Sequence, residues 1–94
     1  MNYYTSTIPL DLAKKLKAVG MPNIEGKDYV REPPYAEVFD WLMSNRRITI
    51  VIEPSFHELY LGKVYNKDGF VKGFDGKTWH EAATKAIEKA LELI

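Results

Sequence analysis

Between residues 46 and 54 the chain reads RRITIVIEP, and no other stretch limits the possible folds so tightly. Ile48, Ile50 and Ile52 share one parity, while Thr49, Val51 and Glu53 share the other. That period of two is the mark of a strand with one buried face, and Pro54 stops it because proline cannot extend the ladder. Such a strand needs neighbours in its plane and cover over its isoleucines. FHELYLGKVY, residues 56 to 65, reads as a second strand. NKDG at 66 to 69 has the residues of a hairpin turn, FVKGF at 70 to 74 reads as the third strand, and Asp75-Gly76 turns the chain onward.

The cover is expected from three helices. In PLDLAKKLKAVG, residues Leu12, Ala13, Leu16 and Val19 form an apolar stripe, with Lys14, Lys15 and Lys17 largely on the other side. Pro9 suits the first helical position, Asp11 favours the positive end of the dipole, and Gly20 offers a left-handed stop. PYAEVFDWLMSN predicts a second helix, with Tyr35, Val38, Phe39, Trp41 and Leu42 spread over a broad apolar arc. In the C-terminal segment Trp79, Ala82, Ala83, Ala86, Ile87, Ala90, Leu91 and Ile94 repeat at helical spacing, and the alanines imply close packing on a neighbour. Between the first two helices, residues 20 to 34 form a connection rich in glycine and proline, with room for a short extended piece at Asp28 to Arg31. The expected fold is therefore α+β over residues 1–94 as one domain. Two N-terminal helices, a three-stranded antiparallel meander and a C-terminal helix follow in the order ααβββα, with the helices on one face of the sheet.

Both histidines are followed by glutamate, His57-Glu58 and His80-Glu81, which raises the question of a zinc hydrolase. That chemistry needs a second histidine four residues on, and those positions hold Leu61 and Thr84. Thr78-Trp79-His80-Glu81 fits a capping box instead: the Thr78 hydroxyl accepts from the Glu81 amide, and the Glu81 carboxylate reaches back to the Thr78 amide. A catalytic group of His57, Glu58, His80 and Glu81 with Ser55 as nucleophile has neither a nucleophile elbow nor a glycine-rich phosphate loop around it. Asp68 and Asp75 stand beside Gly69 and Gly76, but the spacing lacks the alternating oxygen ligands of a calcium loop, and turn chemistry accounts for both. No catalytic residue, cofactor or metal ligand is expected.

Charge narrows the range of partners. Thirteen basic and thirteen acidic side chains cancel, so no global field draws nucleic acid or an anionic membrane. There is no cysteine, hence no disulfide framework and no thiolate site, in keeping with a reducing compartment. No apolar run approaches a membrane span, and MNYYTSTIPL lacks the basic-then-apolar pattern of a secretory signal, so a cytoplasmic location is expected.

Several stretches together, IPLDLAKKLKAVGMP, YAEVFDWLMS, ITIVIEP, DGFV and the closing W.EA..KAIEKALELI, give the chain a further reading. Over nearly its whole length it resembles a family of small uncharacterised proteins carried on bacterial prophages and other mobile elements. The resemblance implies an intracellular α+β domain of phage type in an accessory or binding role. That family has no assigned site, so no functional residue carries over.

Helices on one face leave the other face of the meander uncovered. If the isoleucines face the helices, Val51 points outward with Thr49 and Glu53. From the second strand, either Tyr60 with Phe56 and Val64, or Leu59 with Leu61 and Tyr65, must join it. The first set gives a candidate interaction surface of Val51, Tyr60, Phe56 and Val64, suited to a protein partner or to a second copy in a homodimer. The alternative is single-stranded nucleic acid. Bases would stack on Tyr60, Tyr65, Phe56, Phe70 and Phe74, with Arg46, Arg47, Lys63 and Lys72 meeting phosphates, although no known module's aromatic signature is present.

Overall fold

Period-two alternation and helical stripes resolve into layers in the computed structural model, which describes residues 6–22 and 32–94. In chain order the elements are α1 (Leu10–Ala18), α2 (Tyr35–Arg46), β1 (Thr49–Pro54), β2 (Tyr60–Asn66), β3 (Gly69–Gly76) and α3 (Trp79–Glu92). The strands form one antiparallel sheet in the order β1-β2-β3, so the fold is the expected α+β meander with helices in the order ααβββα. The extended piece expected at Asp28 to Arg31 lies outside the described residues.

Helix ends follow local chemistry. Pro9 is the N-cap of α1, one position earlier than expected. At its other end Gly20 adopts φ +100° and donates to the Lys17 carbonyl, while the Met21 amide donates to Leu16. These two bonds form a Schellman motif, and its usual apolar contact is supplied by the buried side chains of Leu16 and Met21. Thr78 caps α3 by accepting from the Glu81 amide at 3.0 Å. The return half of the box differs from expectation: the Glu81 carboxylate accepts from the Lys77 amide at 3.4 Å and not from Thr78. Ahead of α1, Ile8 donates to Pro33 and the Tyr35 amide to Ser6, so the chain on either side of α1 is tied together and Ile8 is fully buried.

The core lies between one face of the sheet and the helices. Ile50, Ile52, Tyr60, Val64 and Phe74 pack there with Leu12, Leu16, Val38, Leu42, Ile87 and the alanines of α3. Gly62 and Gly76 let α3 come close: a Cβ would lie 2.8 Å from the Ala82 carbonyl oxygen at Gly62 and 2.4 Å from the Ala82 nitrogen at Gly76. Tyr35 links α2 to α3, donating to or accepting from the Thr84 hydroxyl at 3.1 Å and meeting Trp79 edge-on at 5.1 Å.

Two sequence expectations are corrected. The second strand begins at Tyr60 rather than Phe56, because residues Phe56–Glu58 make a tight turn in which His57 and Glu58 hold positive φ and the Ser55 amide donates to Leu59. The third strand runs from Gly69 through Gly76, so the chain turns toward α3 at Lys77 and Thr78.

Candidate interaction surface

The pairing register fixes which side chains stand on the uncovered face. Ile50 lies opposite Val64, and Ile52 opposite Gly62, on the helix side. The other face is a grid of three rows: Thr49, Tyr65 and Phe70; Val51, Lys63 and Gly73; Glu53, Leu61 and Asp75. Of the two alternatives for the second strand, the one with Leu61 and Tyr65 outward is therefore observed.

The surface composed of Val51, Tyr60, Phe56 and Val64 does not exist as a unit. Val64 is fully buried and Tyr60 packs against the core, both on the helix side. Phe56 is 85% exposed but belongs to the β1–β2 turn, and only Val51, 39% exposed, lies on the open face. The physical reason is the glycine between them. Gly62 must face α3 so that Ala82 can approach, which sends Tyr60 and Val64 inward with it and Leu61 outward.

Apolar groups on the open face form a ridge. Tyr65 and Phe70 meet edge-on at 5.6 Å, and Leu61 and Phe70 lean over Gly73, reaching within 3.4 and 3.8 Å of where its Cβ would stand. Phe70 is 61% exposed. A residue is skipped on β3 between the pairs Val64–Lys72 and Tyr65–Phe70, and this bulge puts Phe70 opposite Tyr65 while the extra residue, Val71, packs against the core. Alternation alone placed Leu61 and Tyr65 in one of two sets, and Phe70 entered the sequence reading only beside Tyr65 as a base-stacking candidate. The signal that finds Leu61 and Tyr65 is a glycine on β2 opposite an alanine-rich helix.

Beside the ridge the charges are paired. Lys63 reaches Glu53 at 2.6 Å, and this hydrogen bond, aided by the carboxylate's charge, raises the lysine pKa above its ordinary value. The four cations named for phosphate binding do not share a track. Lys63 stands on the open face, whereas Lys72 lies on the helix side with its ammonium 5.2 Å from the centre of the Phe74 ring. Arg46 donates to the Val19 carbonyl at 2.7 Å and lies over Trp41, joining α2 to the end of α1. Arg47 follows α2 in the left-handed conformation. Tyr60 and Phe74 are core-packed, which leaves Tyr65, Phe70 and Phe56 as the accessible members of the stacking set.

No family model, characterised protein or solved structure matches the chain. The candidate chemistry therefore stands on geometry. His57 is exposed in the β1–β2 turn, whereas His80 is half-buried in the first turn of α3 against Tyr35 and Trp79. Glu81 serves the cap and pairs with Lys85 at 3.4 Å. The Asp68 amide donates to the Asn66 side chain, which shapes the hairpin turn, and the Asp75 carbonyl accepts from Lys85. Among the described residues no three acidic or histidine side chains are gathered as a metal site, and no helix is long and apolar enough to cross a membrane.

Proposed function

We propose that this chain is a phage-type accessory domain that works as a non-enzymatic protein-interaction module, through the side of its sheet that the helices leave open. The observation that carries the reading is the ridge of Leu61, Phe70 and Tyr65 over Gly73, flanked by Val51 and by a Lys63–Glu53 pair that neutralises itself. Contiguous exposed apolar groups rimmed by polar ones suit a protein partner, which would gain by removing them from water. The dispersal of Arg46, Arg47, Lys63 and Lys72 over different surfaces favours protein over single-stranded nucleic acid, whose backbone calls for a continuous cationic groove. Resemblance to small proteins of prophages supports an accessory role.

A photo-cross-linking phenylalanine analogue at Phe70 tests this directly in the native host. Protein adducts that disappear when Leu61→Lys is added support the module. Adducts to nucleic acid, or none at all, contradict it.

A further inference from the structure

The hairpin end of the sheet carries a cleft whose lining shares no residue with the ridge. Thr49 pairs with Tyr65, so the chain entering β1 comes up beside the chain leaving β2. Arg46, Arg47 and Ile48 from the first meet Asn66, Lys67 and Asp68 from the second, with Leu93 just past α3, around a cavity of about 310 Å³. Three cations thus stand with one carboxylate. Another cleft, between β3 and α3, also holds three lysines, but Glu88 and Glu92 line it with them. There Lys85 is held by Glu81 and the Asp75 carbonyl, and Lys89 by Glu92. At the hairpin end the cations are not spent in this way. Among the described residues the side chains of Arg47 and Lys67 have no hydrogen bond or ion pair.

Two further donors are set in place before any ligand arrives. Arg46 donates through Nη2 to the Val19 carbonyl at 2.7 Å and lies over Trp41, which fixes its guanidinium and leaves it N–H groups to spare. The Asn66 Oδ1 accepts from the Asp68 amide at 2.8 Å, so the unused half of that side chain is its NH2, a donor. We propose that this cleft binds the phosphate group of a small phosphomonoester. Two guanidinium forks, an ammonium and an amide N–H suit a doubly charged group with three acceptor oxygens better than a single carboxylate. α2 and α3 both end beside the cleft, but helix C-termini carry only about half an elementary negative charge each, less together than the excess of two cations over Asp68. The body of the ligand would lie on Ile48 and Leu93, with the Asp68 carboxylate accepting from a hydroxyl. Volume sets the size: the cavity is at the lower end of the range for small-molecule sites. Lys63 and Lys72 lie elsewhere on the sheet, so no cationic track continues from here along a nucleic-acid strand.

Amide chemical-shift mapping of the full chain tests this with three probes: inorganic phosphate, glycerol 3-phosphate and ribose 5-phosphate, each against its phosphate-free counterpart or sulfate. At least one ester should saturate with a Kd below about 1 mM and move the signals of residues 46–48, 66–68 and 93. Glycerol and ribose should leave those signals in place. Arg47→Ala and Lys67→Ala should each weaken binding about tenfold, and Lys67→Arg should keep most of it. The unchanged signals of α1 and β2 in each variant confirm that the fold persists. No saturable shift with any of the three probes, affinity indifferent to both alanine variants, or equal binding of sulfate and the esters overturns the inference. An oligonucleotide that binds tenfold more tightly than the esters, with or without a terminal phosphate, also overturns it. Failure here leaves the proposed function standing, because the Phe70 cross-link reads a different surface.

Discussion

Arg47, His57 and Glu58 hold φ angles of 56°, 64° and 61° without being glycines. The left-handed region costs an L-residue roughly 1–2 kcal/mol, and the three cluster at the two ends of β1. Arg47 occupies the position just beyond a helix where glycine is the usual residue. Its left-handed turn carries the chain from α2 toward β1. Arg47→Gly should therefore raise the stability of the protein by about 1 kcal/mol in chemical denaturation. A fall in stability would show that the arginine is held for the fold.

At the scale of elements, α3 lies close on the sheet where Ala82 sits over Gly62 and Gly76. Neither the Ala82 backbone nor β3 is free to give way, so Gly76→Ala should cost about 1–3 kcal/mol as an overpacked site. An unchanged thermal midpoint would mean that α3 rides higher than described. The same contact explains what could be read from sequence and what could not. β1 was legible because its apolar residues occupy one parity only, and the cap at Thr78 and the stop at Gly20 were legible because both act within a few residues. β2 was not, since FHELYLGKVY is apolar on both parities and a turn at Phe56–Glu58 consumes residues that read as strand. Its register is set by a tertiary demand, glycine beneath alanine, and the bulge that aims Phe70 beside Tyr65 leaves no local mark in FVKGF. Helices and their order were thus accessible from period and caps, whereas the outward set required knowing how α3 lies on the sheet for Leu61 and Tyr65 and where β3 bulges for Phe70.

For the molecule as a whole, the helices lie on one side of a three-stranded sheet and leave an apolar ridge on the other. Binding a protein partner should then change the environment of the open face and leave the lysine-bearing side of α1 untouched. Amide hydrogen exchange, compared between the protein alone and the protein with the partner recovered through the Phe70 cross-link, measures this directly. The account predicts added protection on the strands that carry the ridge, at residues 60–66 and 69–76, with the peptide covering Leu10–Ala18 exchanging at the same rate in both samples. Protection that appears on α1 or α3 with none on β2 or β3 would contradict it.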